Sequence, residues 1–318
     1  MLRPRALAEP GRAGLYHVCS RVVDRRVIFG GRERRKFMEQ IRGGAEFAGV
    51  ELVSWCLMGN HFHLLVRVPP VDADALSDEE VLVRMESIDP EPKMRHFRGV
   101  WERMEGGEAR RVFLARFRAR MGDLSDFVKT LKQRFTQWFN RRTQREGTLW
   151  EGRFFSVMLS HNEKADGKGL GVLARFVAGY IDLNPVRAKV ARDAAESDWS
   201  SYGAAVRGDG DARFGLRILW GSEACDGLDD KEVASLHGKM LERACKVGCE
   251  LASGKAGASA RAGVDPVSIG ESGVGATLPV VDDEFRELRM LFLMARRCEA
   301  LTKRRVLGAG WVVAESGG

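Results

Sequence analysis

Two histidines separated by one residue, His61 and His63, have a spacing that could hold a metal ion. They lie in the run GNHFHLLVRV, where apolar and polar residues alternate after a Gly-Asn turn signal. Alternation predicts a β-strand, and on a strand residues i and i+2 point to the same side. The two imidazoles could therefore bind one divalent cation. The spacing alone is unspecific, since two histidines on a solvent-facing strand side are more often structural.

Only three tyrosines, Tyr16, Tyr180 and Tyr202, could supply a phenolic nucleophile. Tyr16 opens a predicted strand, where an aromatic residue usually packs, and Tyr202 follows the helix-ending DWSS. Tyr180 lies late in a predicted helix, and Asn184 follows it by four residues, on the same face if the helix stays straight. Tyr180 also continues the apolar stripe of its helix, so a core position is the alternative. Asn184 precedes a proline, which equally favours the start of a new helix.

Five sequence blocks carry a family resemblance that extends from about Tyr16 to Tyr202. They are, in chain order, YHVCSR, LMGNHFHLLV, LKQRFTQWFNRR, GTLWEGRFFSV and YIDLNPVRA. Together they resemble single-tyrosine HUH transposases, the branch that includes insertion-sequence and REP-associated tyrosine transposases. The resemblance implies an α+β fold, a ferredoxin-like antiparallel sheet with helices packed on it, and it places the paired histidines on a central strand.

The same resemblance implies a site and a reaction. Tyr180 would be the nucleophile, and His61, His63 and Asn184 would hold Mg²⁺ or Mn²⁺. Attack on single-stranded or hairpin DNA would leave a 5′-phosphotyrosine and a free 3′-hydroxyl. Both self-contained monomers and homodimers that exchange their tyrosine helices fit the resemblance.

Two positions depart from the family pattern. Gly59 replaces a frequent proline before the Asn-His pair, and Asp182 replaces a frequent histidine in the tyrosine motif. The alternative function is that of a domesticated relative that binds hairpin DNA without productive transposition. A histidine-triad hydrolase is disfavoured, because Leu65 stands where a third alternating histidine would be needed.

Periodicity predicts the elements that position these residues. The sequence predicts strands over 15–23, 50–58, 59–68 and 147–160, and helices over 31–49, 124–142 and 170–184. The expected domains are an N-terminal arm (1–14), a catalytic domain (15–205) with an insert at about 70–122, and a C-terminal extension (206–318). The insert is expected to be partly helical and mobile, and the extension to contain a flexible linker at about 253–279 and a basic helix over 282–307.

The charge distribution suits a polyanionic partner. The net charge is +7, and the segment from Arg111 to Arg153 holds eleven basic and four acidic residues, whereas 71–91 holds one basic and eight acidic residues. Candidate DNA phosphate contacts in the basic segment are Lys129, Lys132, Arg134, Arg141, Arg142, Arg145 and Arg153, and Trp138 or Trp150 could stack an unpaired base. A basic helix surface is also common without nucleic acid.

The remaining composition is that of an ordinary soluble protein, with 44% hydrophobic and 30% charged residues in 318. No apolar run is long enough for a membrane helix, and no secretory signal is evident. The expected location is the cytoplasm. The six scattered cysteines are expected to be reduced thiols.

Overall fold

A computed structural model describes Ala8 and residues 11–89, 91–160 and 169–252. The chain divides into two compact units, residues 1–241 and 242–318. All contacts reported below lie within the first unit. Of the second unit the structure describes only residues 242–252, the end of a helix, so the predicted linker at 253–279 and helix at 282–307 lie outside the described residues.

The described residues form four strands and ten α-helices. The strands are β1 (Gly14–Arg21), β2 (Glu51–Leu57), β3 (His61–Val68) and β4 (Phe155–Ser160). The helices are α1 (Gly31–Ala48), α2 (Asp78–Glu86), α3 (Glu91–Glu102), α4 (Gly107–Arg118), α5 (Leu124–Thr143), α6 (Gly171–Asp182), α7 (Asn184–Arg187), α8 (Ser201–Val206), α9 (Gly210–Ala224) and α10 (Asp230–Ala252). A 3₁₀ turn covers Val23–Arg25.

The four strands form one antiparallel sheet in the order β2-β3-β1-β4. With α1 between β1 and β2, and α5 between β3 and β4, this is the β-α-β-β-α-β arrangement of ferredoxin-like folds. The α+β fold class predicted from the sequence is therefore confirmed. β3 and β1 are the central strands.

Local sequence signals explain where the two sheet-covering helices begin and end. The carboxylate of Asp123 accepts hydrogen bonds from Ser125 N at 2.6 Å and Asp126 N at 3.1 Å, which caps the start of α5. Helix α1 ends at Gly49, whose φ of 68° is the left-handed conformation that glycine adopts without strain.

An aromatic core fills one side of the sheet, which we call the core face. The ring of Phe37 on α1 lies 5.0 Å from that of Phe62 on β3 and 4.8 Å from that of Phe135 on α5. All three side chains are fully buried. Trp150 completes this cluster, 5.6 Å from Phe62. Since strand residues alternate between faces, His61 and His63 point to the opposite side.

That opposite side, which we call the histidine face, is covered in part by α6 and α9. Both helices pack against β2, and α6 also packs against β3. Leu216 and Leu219 of α9 are buried in the same hydrophobic core as the strands. This core therefore extends beyond residue 205.

The acidic insert forms three helices, α2, α3 and α4, with a small apolar cluster of its own. The members of the cluster are Phe47, Val81, Leu82, Met85, Met94, Leu114, Phe117 and Met121. Phe47 belongs to α1, and Arg134 of α5 pairs with Asp89 at 3.2 Å, so the insert rests on the helices of the core face. It lies on the other side of the sheet from the two histidines.

One predicted strand is shorter than expected. Of the segment 147–160, only β4 at Phe155–Ser160 is a strand, and Trp150 makes an isolated bridge with Val22. In the described part of the chain, no helix combines the length and apolar character needed to cross a membrane.

Candidate active site

His61 and His63 lie on one face of β3, as the alternation predicted. Their ring centroids are 5.1 Å apart and their ring planes are nearly perpendicular, at 87°. His63 is only 5% exposed, whereas His61 is half-buried. The strand therefore presents two imidazoles side by side.

Tyr180 is placed directly against this histidine pair by α6. Its ring centroid lies 5.7 Å from that of His63, edge to face at 87°. Tyr180 and His63 are more than a hundred residues apart in the sequence, and they meet because α6 packs across β2 and β3. The side chain is half-buried, so the phenol is not sealed inside the core.

A third histidine, His17 on β1, belongs to the same cluster and was not predicted. Its Nε2 lies 3.0 Å from Nδ1 of His63, and the two rings are stacked with centroids 5.2 Å apart. The ring of Tyr180 is 6.2 Å away. Residues 17, 19 and 21 share a face by strand alternation, and Cys19 and Arg21 pair with His63 and His61. This pairing could have revealed His17, but only once the β1–β3 register was known.

The hydrogen bond of His61 determines its tautomer. Nδ1 of His61 lies 2.7 Å from Oδ1 of Asn60, and because an amide oxygen only accepts, Nδ1 carries the proton. Nε2 then has the lone pair that a metal ion requires. His63 reaches the same state when its Nδ1 donates to His17.

Burial keeps all three imidazoles uncharged at neutral pH. It lowers the pKa of His17 to about 4, and burial together with the positive charge of Arg21 lowers that of His61 to about 4. The pKa of His63 is well below its usual value, first because of burial and then because two histidines and two arginines, His17, His61, Arg21 and Arg187, lie close to it. Neutral imidazole is the form that binds metal. Burial also raises the pKa of Cys19 to about 12, which keeps that thiol protonated.

Asn184 lies one turn beyond Tyr180, in the short helix α7. Its Nδ2 donates a 2.9 Å hydrogen bond to the backbone oxygen of Tyr180. Leu183 is the residue that caps α7, and Pro185 occupies the first turn, so the helix break expected at the Asn-Pro pair is present. The amide group is thereby tied to the backbone of the candidate nucleophile.

Two arginines that were not predicted bring positive charge to the histidine face. The guanidinium of Arg187 lies over the ring of Tyr180, 4.9 Å from its centroid. Arg21 pairs with His61 across the β1–β3 ladder. Arg187 therefore places positive charge beside Tyr180, and Arg21 places it beside His61.

Asp182, the other departure from the family pattern, is fully buried within a polar network. Its Oδ1 accepts from Ser201 Oγ at 2.8 Å and from Tyr202 N at 2.9 Å. Its Oδ2 lies 3.1 Å from Nε2 of His237 on α10, which is also fully buried. The network fixes the end of α6 two residues after Tyr180.

The basic residues predicted to contact DNA lie mostly on α5, on the core-face side of the sheet. Lys129, Arg141 and Arg153 are exposed. Lys132 is buried, and its ammonium group donates to Gly152 O at 2.7 Å. The remaining three are paired within the molecule: Arg134 with Asp89, Arg142 with Glu33, and Arg145 with Thr148 O.

The two tryptophans considered for base stacking belong to the core. Trp150 is 5% exposed, and its Nε1 donates to Lys132 O at 3.2 Å and Thr136 Oγ1 at 3.0 Å. Trp138 is partly buried against the same aromatic cluster. The prediction that Trp150 stacks a base is therefore wrong, because its ring is enclosed by protein.

The residues of this cluster fit a divalent cation. Among the described residues, no three His, Cys, Asp or Glu side chains are grouped so as to hold a metal ion. The fit rests instead on two neutral imidazoles on one strand face, each with its Nδ1 engaged by a neighbour. Such outer partners are typical of metal-binding histidines, because they fix the ring and its tautomer. Further ligands would come from an amide, water or phosphate oxygen.

One comparison with known proteins, that with family models, agrees with the resemblance drawn from the sequence. The family model described as "Transposase IS200 like" matches residues 13–73, which contain β1, α1, β2 and β3. A solved structure described as a REP-associated tyrosine transposase bound to a REP hairpin is 14% identical, with a TM-score of 0.40, and the match covers 65% of this chain and 87% of that one. No curated protein matches the sequence.

Proposed function

We propose that this protein is a DNA strand transferase that cuts and rejoins single-stranded DNA through Tyr180. The match of residues 13–73 to the family model described as "Transposase IS200 like" supports this proposal. The observation that carries the proposal is the position of the Tyr180 ring, 5.7 Å from His63 and on the same face as His61.

A divalent metal ion, Mg²⁺ or Mn²⁺, fits the donors of this site. His61 and His63 would hold it through Nε2, and Asn184 is the proposed third ligand. When bound, the cation would neutralise charge on the phosphate oxygens of the scissile phosphodiester. Two imidazoles also suit softer transition ions, so Mn²⁺ is the preferred ion for assays.

Tyr180 performs the covalent step. Its Oη attacks the phosphorus, an Oη–P bond forms, and the P–O3′ bond breaks. The phenolic proton is released, and the departing 3′-oxygen takes up a proton to become a hydroxyl. The 5′-phosphotyrosine keeps the energy of the phosphodiester, so a 3′-hydroxyl can reverse the step at a new junction without a nucleotide cofactor.

Arg187 is proposed to help the phenol ionise. A free phenol has a pKa near 10 and needs assistance at neutral pH. The guanidinium over the Tyr180 ring favours the negatively charged phenolate. We propose that the same charge also contacts the phosphate that becomes attached to Tyr180.

The decisive test is a covalent adduct between the protein and single-stranded DNA. Wild-type protein incubated with Mn²⁺ and hairpin DNA with single-stranded flanks is expected to yield a slower band on a denaturing gel. Tyr180→Phe should lose the band, because the nucleophilic oxygen is gone. Tyr202→Phe is the matched control and should retain it. An adduct that survives Tyr180→Phe would overturn the assignment of the nucleophile.

The same assay distinguishes the proposed strand transferase from the alternative, a protein that binds hairpin DNA without strand transfer. Such a protein would shift hairpin DNA on a native gel yet form no adduct with any hairpin tested. We favour the enzyme because His61, His63 and Tyr180 lie together, which DNA binding alone does not require.

A further inference from the structure

The edge strand β4 exposes two apolar side chains on the histidine face. Phe155 is 54% exposed and Val157 is 40% exposed. Phe155 pairs with Cys19, and Val157 pairs with His17. Because paired residues of antiparallel strands point to the same side, both side chains lie on the face that carries the histidines.

The strand register aligns this apolar pair with the candidate active site. Cys19 pairs with Phe155 on one side and with His63 on the other. Phe155 therefore lies two strand spacings, about 10 Å, from His63 across the sheet. This is the neighbourhood that nucleotides beside a phosphate at Tyr180 would occupy.

Positive charge surrounds the same surface. Arg21 lies on the histidine face of β1, Arg153 is exposed two residues before Phe155, and Arg187 covers the Tyr180 ring. Proteins bind single-stranded nucleic acid by combining such cations with accessible aromatic rings on which bases stack. Apolar rings on an exposed sheet face serve this purpose in RNA-binding sheets.

We propose that Phe155 and Val157 form a stacking platform for an unpaired base that flanks the scissile phosphate. This inference rests on the proposed function, since it takes its ligand from the reaction at Tyr180. Phe155 provides the ring on which the base lies, and Val157 extends the apolar surface toward His17. The platform takes the role that the sequence suggested for Trp150, whose ring is enclosed by protein.

The test measures binding in the full-length Tyr180→Phe protein, which cannot form the covalent adduct. The probe is a fluorescent DNA hairpin with oligothymidine flanks, in which one thymine at a time is replaced by an abasic site. Phe155→Ala should weaken binding about 5- to 140-fold, the range for loss of one stacked base. Phe155→Trp should restore it, because stacking requires only an aromatic face. Phe214→Ala removes an equally exposed phenylalanine, 57%, from α9 and should have no effect.

The abasic series locates the stacked base. One or two flank positions should lose affinity when the base is removed, and this loss should disappear in Phe155→Ala.

Unchanged affinity in Phe155→Ala, while the parent protein binds the hairpin, would overturn the platform and leave the proposed function intact. A parent protein that binds no DNA, and a wild type that forms no adduct, would overturn both. A change in oligomeric state without a change in affinity would identify the surface as a contact between copies and overturn the platform.

Discussion

At the scale of single residues, the candidate site depends on which ring nitrogen carries each proton. Asn60 holds the proton of His61 on Nδ1, and His17 can do the same for His63. Both Nε2 atoms are then available to a cation. The alternation in β3 was sufficient to predict the shared face of His61 and His63. His17 could not be predicted as their neighbour, because it comes from another strand and the pairing register is a tertiary property.

Replacing His17 tests its role as the outer partner of His63. His17→Ala removes the acceptor that orients the ring, and loss of such partners typically weakens metal binding about 10- to 100-fold. We expect a higher Mn²⁺ concentration for half-maximal adduct formation, with little loss at saturating Mn²⁺. The exposed His96 supplies the control variant, His96→Ala. An unchanged Mn²⁺ dependence would show that His17 does not act on the metal site.

The low histidine pKa values predict a loss of stability in mild acid. The folded-state pKa of His17 and His61 is about 4, below the unfolded value near 6.5, so protons bind preferentially to the unfolded chain. Stability is therefore full above about pH 6.5 and declines as the pH falls toward about 4. Between these two pH values, each histidine lowers the free energy of unfolding by at most ~1.4 kcal/mol per pH unit.

Denaturant unfolding in the presence of a chelator measures this slope. His17→Gln should show a shallower decline between about pH 6.5 and about pH 5 than wild type, because one titrating group is gone. His96→Gln should keep the wild-type slope. Equal slopes in all three proteins would contradict the burial of the His17 ring.

At the scale of elements, helix α6 has to be held in place for Tyr180 to reach the histidines. Asp182 does this by binding Ser201 Oγ, Tyr202 N and His237 Nε2 at once. The sequence predicted α6, but it left the role of Asp182 open. Its partners come 19 and 55 residues later, and no local pattern connects them. The predicted strand 147–160 was too long because Trp150 packs in the aromatic core. This is a tertiary contact that no local pattern shows.

Removing the buried carboxylate should destabilise the protein. Asp182→Ala leaves buried donors without partners, and we expect the free energy of unfolding to fall by about 2–5 kcal/mol. Adduct formation should fall as well, since Tyr180 lies two residues away. Asp198→Ala alters a side chain that is 75% exposed and should change stability by less than about 0.5 kcal/mol. A loss below about 1 kcal/mol for Asp182→Ala would argue against the network.

At the scale of the whole molecule, the sheet separates two kinds of surface. The histidines, Tyr180 and the proposed platform lie on one side, whereas α5 and the acidic insert lie on the other. The fold class and the order of the core elements followed from periodicity and from the family resemblance. The position of α5 relative to the site could not be predicted in this way. Helical periodicity identifies the apolar side of a helix but not the face of the sheet that this side covers.

Salt dependence tests whether α5 contacts DNA despite its position. If Lys129 and Arg141 each contact a phosphate of a single strand, their joint replacement by Gln should reduce the slope of log K against log salt by about 1.4. The matched control is the joint replacement of Lys93 and Arg95 on α3 of the insert by Gln, which should leave the slope unchanged. An unchanged slope in the α5 variant would place the DNA on the histidine face alone.

The central claim is that Tyr180 is the residue that becomes joined to DNA, and mass spectrometry of the digested adduct tests it most directly. After tryptic and nuclease digestion, the nucleotide mass should reside on the peptide that contains Tyr180, residues 176–187, and fragmentation should place it on the tyrosine. The adduct should require Mn²⁺ and be absent in His63→Ala. A nucleotide on Tyr16, Tyr202 or any other residue would contradict the account.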